Sequence, residues 1–164
     1  LCSFALASEL GIDITTFNKQ INSFNTPNGR GNFIYKNHCT IIDDTYNSNY
    51  SSTIAGIKSL NHYDNRKIVV LGDMLELGDK SIEFHIGILH HLVENNIKNV
   101  FLYGELMEHL YKEAQNHKTD INIFYFHSQN ELIKVINTYI VKDDFIYIKG
   151  SRSMKMENII KGIR

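Results

Sequence analysis

The sequence predicts an α/β fold, a doubly wound and mostly parallel sheet flanked by helices. Two observations carry that reading. Strand-like and helix-like segments alternate at least four times, the pattern of βαβ units joined by right-handed crossovers. The run Lys67-Ile68-Val69-Val70-Leu71 is continuous and β-branched, which suits a strand covered on both faces. Ligands of such sheets bind beyond the carboxyl ends of the strands, so the loops after strands are where chemistry is sought.

The elements follow in order. Leu1, Phe4, Ala5 and Ser8 stand at helical spacing in an opening helix Leu1–Leu10 that Gly11 can cap. Asp13 can cap a second helix carrying Ile14, Phe17, Ile21 and Phe24. Asn25-Thr26-Pro27-Asn28-Gly29-Arg30-Gly31 is a dense turn cluster with the only proline, and it marks the best domain boundary. Residues 1–30 are therefore expected to be the helical tail and hinge of a neighbouring domain, and residues 31–164 a domain of their own. Because Leu1 already reads as mid-helix, the chain is expected to be a piece of a longer protein.

Phe33-Ile34-Tyr35 and Cys39-Thr40-Ile41-Ile42 read as short strands about a turn at Asn37-His38. A helix from about Ser51 to Leu60 turns Ile54, Ile57 and Leu60 inward. After the strand at 67–71 come a helix near Ser81–Asn95, a strand Asn99–Tyr103 and a helix near Leu106–Ala114. Strand Ile121–Phe126, a helix near Asn130–Tyr139, strand Phe145–Lys149 and a last helix near Met154–Ile163 complete the series.

Composition narrows the function classes. With 164 residues, 43% hydrophobic and 21% charged, the chain suits one well-buried domain with a small extra piece. A net charge of -1 and no stripe of Lys and Arg disfavour a nucleic-acid partner. No apolar stretch approaches the roughly 20 residues of a membrane helix. Cys2 and Cys39 lack CxxC or His-spaced partners, which fits a reducing, cytoplasmic setting rather than a disulfide or zinc framework. Neither a GxxxxGK[ST] phosphate loop nor a GxGxxG fingerprint is present.

Three loops at strand ends stand out. In Asp43-Asp44-Thr45-Tyr46-Asn47-Ser48-Asn49, two adjacent carboxylates repel unless a cation, donors or solvent relieve them. The polar string behind them suits a ribose or a metal-bound phosphate, and equally suits a helix N-cap with an Asx-rich turn. In Gly72-Asp73-Met74-Leu75-Glu76-Leu77-Gly78, the glycine permits a sharp turn, Asp73 and Glu76 are placed at the rim, and the apolar residues must pack on something. Lys149-Gly150-Ser151-Arg152-Ser153 combines cations, hydroxyls and the N–H groups of a following helix, the makings of an anion site. His85 reads as a packed or surface helix histidine, and the adjacent His90 and His91 make a poor metal pair.

These loops, in this order, resemble the C-terminal domain of the Mur ligase family. The family's aspartate-aspartate-tyrosine-asparagine loop is similar to 43–49, and its strand-plus-loop element to Val69–Gly78. Ser81, His85 and Gly87 resemble a later serine, histidine and glycine. Lys149–Ser153 followed by Met156-Glu157 resembles the closing motif, and Pro27 with Gly29-Arg30 the junction between central and C-terminal domains. Tyr50 stands where many relatives carry proline, which alters how the helix begins and leaves the chemistry untouched.

The resemblance implies a Rossmann-like C-terminal domain of an ATP-dependent carboxylate–amine ligase of peptidoglycan synthesis, working through an acyl phosphate. Within the family, the Lys149–Ser153 motif points to the branch that adds D-alanyl-D-alanine to UDP-N-acetylmuramoyl-tripeptide. The resemblance implies that Arg30, Asp44, Tyr46, Asn47 and Asn49 meet ATP, and that Lys149, Ser151, Arg152 and Ser153 receive the dipeptide. It assigns no certain catalytic residue and no metal ligand here. Mg²⁺ and most of the grip on ATP would belong to a central domain, and the nucleotide sugar to an N-terminal domain, both outside these residues. The C-terminal domain would then swing shut over the site and keep water from the acyl phosphate.

Three rival readings remain open at this point, one of them a purely structural domain whose loops are all caps. A sibling Mur or folylpolyglutamate-type ligase would share the loops but take another acceptor. A phospho-receiver module would use Asp43, Asp44, Asp73 and Lys149 as its acidic pocket, although a strand pair and two helices precede the acids.

Overall fold

The computed structural model describes residues 2–23 and 26–164, so the expected contributions of Leu1, Phe24 and Asn25 lie outside the described residues. Two short helices open the chain, α1 (Cys2–Glu9) and α2 (Ile14–Asn22). Gly11 adopts the left-handed conformation (φ 75°) that stops the first. Asp13 caps the second by accepting from the Thr15 and Thr16 N–H groups. Phe4 and Phe17 meet edge-on at 5.3 Å, while Leu6, Leu10, Ile14 and Ile21 are exposed.

The sheet begins with an antiparallel hairpin, β1 (Asn32–Lys36) and β2 (Cys39–Asp44). Asn37 and His38 make its two-residue turn, both at positive φ (50° and 58°), the geometry that matches the right-handed twist of the flanking strands. The remaining elements are α3 (Tyr50–Ser59), β3 (Lys67–Gly72), α4 (Ser81–Glu94), β4 (Asn99–Tyr103), α5 (Met107–Asn116), β5 (Asn122–Phe126), α6 (Gln129–Tyr139), β6 (Phe145–Lys149) and α7 (Glu157–Gly162). The six strands lie in the order β1-β2-β6-β3-β4-β5, and every pairing but β1–β2 is parallel.

Strand periodicity divides the core in two. Ile42, Val69, Leu71, Val100, Leu102 and Tyr147 face α3, α4 and α5, while Ile41, Ile68, Val70, Phe101, Ile146 and Ile148 face α6 and α7. The β-branched run at 68–70 thus feeds both layers, as a doubly covered strand must. Chains leaving β2 and β6 run to opposite faces, the first into α3 and the second into α7. That divergence opens a crevice at the carboxyl ends of two neighbouring strands.

Three local expectations change. Ile57 and Leu60 are fully buried, but Ile54 is only partly so, and Leu60 starts a 3₁₀ turn rather than ending the helix. β2 runs two residues past Ile42, because Asp43 and Asp44 pair in register with Ile148 and Lys149. The last helix does not start at Met154. A 3₁₀ turn (Arg152–Met154) and a left-handed Lys155 (φ 50°) precede it, and the break seats the fully buried Met156 against Gly72 and Gly150.

At the opposite end of the sheet, the residues entering β3 and β6 are tied together. Arg66 donates through Nε and a terminal nitrogen to the two Asp144 oxygens, each at 2.8 Å, and the Val141 N–H adds a third donor at 2.8 Å. Removing the Asp144 carboxylate would strand these donors. Asp144→Ala is expected to cost about 1–3 kcal/mol in urea unfolding, and an unchanged midpoint would remove this tie from the account of the fold.

Candidate functional site

The two acids of the β2 loop do not face each other. Successive strand residues point to opposite faces, so Asp43 lies on the α7 side and Asp44 on the α3 side. Asp43 is buried and accepts from the Thr45 N–H (3.2 Å) and hydroxyl (2.6 Å), closing a local turn. Asp44 stands opposite Lys149 in the β2–β6 ladder. Its Oδ2 accepts from Lys149 Nζ at 2.7 Å and from the Tyr147 hydroxyl at 2.8 Å. Lys149 Nζ also donates to the Asn47 carbonyl at 2.9 Å, and its side chain is only 3% exposed. Burial, and then the Asp44 carboxylate, push the Tyr147 phenol well above its ordinary range, so it stays a proton donor.

A cleft of about 300 Å³ opens on this face, lined by Arg30, Asp44, Tyr46, Asn47, Asn49 and Lys149 together with Gly29, Ser48 and Ser52. All five residues expected to meet ATP therefore share one cleft. The Arg30 guanidinium lies 3.9 Å from the centre of the Tyr46 ring, a cation–π contact. Gly29 holds the turn segment before β1 against the loop: its carbonyl accepts from the Tyr46 N–H at 2.9 Å, and at φ 79° a Cβ would sit 2.9 Å from that nitrogen. Asn49 caps α3 in a reciprocal box with Ser52, so the capping reading of this loop also holds for one of its residues.

The closing motif splits in two. Ser151 is buried and knits the three loops together. Its N–H donates to the Asp73 carbonyl (2.9 Å), and its hydroxyl accepts from the Leu75 N–H (2.8 Å) and reaches the Ser48 carbonyl (3.4 Å). The Met154 and Lys155 N–H groups, expected as helix donors for an anion, bond to the Ser151 and Arg152 carbonyls of the 3₁₀ turn. Arg152 is 63% exposed and pairs with Glu157 Oε1 at 3.3 Å. It lines a second cleft of about 440 Å³ with Asp43, Thr45, Glu157 and Lys161, whereas Ser153 is exposed beside it. Glu157 Oε2 is buried there without a hydrogen-bond partner. Lys149 thus lines the same cleft as the five residues expected to meet ATP, and Arg152 is separated from it.

The 72–78 loop is fastened from behind. Met74 is fully buried, which answers where its apolar residues pack. Asp73 is not at the rim; it turns inward, and its Oδ1 accepts from the Met107 N–H at 2.9 Å, capping α5 from a distant strand. The Met74 N–H donates to His85 Nε2 at 2.9 Å, so that nitrogen carries a lone pair and Nδ1 holds the proton against the Ser81 carbonyl at 2.6 Å. Burial lowers the His85 pKa, and burial raises that of Asp73.

Sequence reasoning did not single out Tyr147, Lys161 or Ser52. Tyr147 reads as sheet core, and only Gly56 opposite it carries a signal, since a Cβ there would collide with the phenol oxygen. Tyr50, in place of the family's proline, stacks on Phe84 at 4.8 Å and rests on Gly87. Among the described residues no three metal-ligating acids, histidines or cysteines converge. Asp44 already holds an ammonium, so these residues do not by themselves compose a Mg²⁺ site.

The fold is that of one family. The chain belongs to the Mur ligases: the family described as "Mur ligase, glutamate ligase domain" matches residues 29–152. The UDP-N-acetylmuramoyl-tripeptide–D-alanyl-D-alanine ligase of Buchnera aphidicola (subsp. Acyrthosiphon pisum) is 37% identical over 124 residues, covering 75% of this chain and 26% of that protein. The Bacillus subtilis ligase of the same name is 35% identical over 127 residues, 76% of this chain and 28% of that protein. MurF from Acinetobacter baumannii superposes over 98% of this chain and 35% of its own, with TM-score 0.83 and 32% identity. MurF from Thermotoga maritima in complex with ADP does so over 98% and 36%, with TM-score 0.83 and 25% identity. The chain therefore spans between a quarter and a third of these two curated relatives' length. Membership of this family sets aside the phospho-receiver reading.

Two outcomes follow for the loop fastenings. Ser151→Ala leaves the half-buried Leu75 N–H without its acceptor and is expected to cost about 1–3 kcal/mol of stability, read by thermal or urea unfolding. For His85, the unfolded chain binds a proton below about pH 6.5 and the folded chain resists it. Its stabilisation is thus present above that pH and is lost as pH falls. Asp73 acts in the opposite sense, its folded carboxyl holding a proton more readily than the unfolded one. Stability measured between pH 7.5 and 5.5 should fall in the wild type and fall less in His85→Gln, whose amide oxygen still accepts from Met74; parallel slopes would contradict the assignment.

Proposed function

We propose that this chain is the C-terminal part of an ATP-dependent ligase that joins D-alanyl-D-alanine to UDP-N-acetylmuramoyl-tripeptide. The observation that carries the proposal is the gathering of Arg30, Asp44, Tyr46, Asn47 and Asn49 around one cleft at the β2–β6 crevice. Relatives of that name, and a MurF structure holding ADP, support the nucleotide as its occupant. Asp44 offers an acceptor to ribose hydroxyls, and Arg30 over Tyr46 offers a cation to phosphate at the hinge. Mg²⁺ would enter with the nucleotide and be held mainly by the central domain.

The second cleft suits the dipeptide, a zwitterion with a carboxylate at one end and an amine at the other. Arg152 and Lys161 offer the carboxylate its partners, with exposed Ser153 next to Arg152 in the chain. Ser151 braces the loops beneath these contacts, while Lys149 lines the nucleotide cleft on the other face. The exposed Leu6, Leu10, Ile14 and Ile21 favour residues 1–30 as part of the central domain, which with the N-terminal domain would complete the enzyme. No helix among the described residues is long and apolar enough to cross a membrane, and dependence on ATP favours a cytoplasmic enzyme.

The test is ADP release dependent on D-alanyl-D-alanine by the full-length ligase. Asp44→Ala is expected to raise KM for ATP, and Arg152→Ala to raise KM for the dipeptide, each by about tenfold or more for a lost charge-assisted hydrogen bond. Absence of dipeptide-dependent turnover would transfer the chain to a sibling ligase with another acceptor.

A further inference from the structure

Asp44 is held by one of its two oxygens. Oδ2 takes both the Lys149 ammonium (2.7 Å) and the Tyr147 hydroxyl (2.8 Å), whereas Oδ1 accepts from no described group and the side chain remains 27% exposed. The two donors come from one strand and one face. Tyr147 and Lys149 are two apart on β6, where Asp44 is the ladder partner of Lys149 and Ile42 that of Tyr147. α3 makes room for this arrangement at Gly56, where any Cβ would strike the phenol. The carboxylate is therefore fixed in rotation: Oδ2 is engaged twice in the sheet, and the other oxygen stays unengaged on a residue that lines the cleft.

We propose that Tyr147 and Lys149 are positioning residues for Asp44, turning Oδ1 into the acceptor that a ribose hydroxyl of the nucleotide meets. The inference rests on the nucleotide reading of the cleft. It moves Lys149 from the dipeptide to the nucleotide and gives Tyr147 a role beyond sheet packing. Without the phenol, the carboxylate keeps its charge partner but gains freedom to rotate, and the directional part of the ribose contact weakens.

The experiment compares ATP with 2′,3′-dideoxy-ATP in the full-length ligase, taking the ratio of their kcat/KM values in the wild type, Asp44→Ala and Tyr147→Phe. A wild-type ratio well above one that collapses in Asp44→Ala establishes the ribose contact. Tyr147→Phe is then expected to lower the ratio by about 3- to 10-fold through KM for ATP, with KM for the dipeptide and the kinetics with the dideoxy nucleotide unchanged. A ratio near one in the wild type overturns the ribose reading itself. A normal ratio in Tyr147→Phe, or an equal loss with both nucleotides, overturns the positioning role while leaving that reading intact. Gly56→Ala, whose methyl displaces the phenol without removing it, provides the second variant and should lower the ratio in the same way.

Discussion

The candidate site is built around one cross-strand ion pair, Asp44 on β2 against Lys149 on β6. A lysine ammonium that is almost wholly buried demands a carboxylate and further acceptors, because an unpaired charge there would be costly. Asp44 and the Asn47 carbonyl meet that demand, so the pair also dictates the course of the loop beyond β2. From that follow the position of Tyr46 against Arg30 and the cap that Asn49 places on α3.

The same strand ends explain why there are two clefts. Neighbouring strands send their chains to opposite faces, and adjacent acids on one strand point to opposite faces as well. Asp44 accordingly serves the α3 side and Asp43 the α7 side, with the sheet as a wall between them. Ser151 spans that division, joining the loops after β2, β3 and β6 through one hydroxyl and one N–H.

Most of the fold is legible in the residues. Parity along 68–71 forecasts two core layers, Asn37-His38 forecasts a tight hairpin turn, and Asp13 and Gly11 forecast helix boundaries. The grouping of the cleft residues from 30 to 49 is legible too, since a single loop and the turn segment before β1 carry them. Roles that depend on long-range neighbours are not. Ser151 looks like an anion ligand until the backbone groups of Asp73, Leu75 and Ser48 are found around it, far away in sequence. The acid pair looks self-repelling because its residues read as loop, whereas ladder pairing with Ile148 and Lys149 makes them strand and separates them. The left-handed Lys155 breaks a segment whose composition reads as continuous helix, for the sake of Met156 in the core.

In the closing motif, Lys149 and Ser151 point inward and Arg152 and Ser153 outward. The inward pair is shared property of several loops, so a change there disturbs the whole crevice. The outward pair touches little else. Under the proposed function, acceptor preference would thereby be mechanically uncoupled from nucleotide handling, and a lineage could retune the one by exchanging two surface residues while inheriting the other intact.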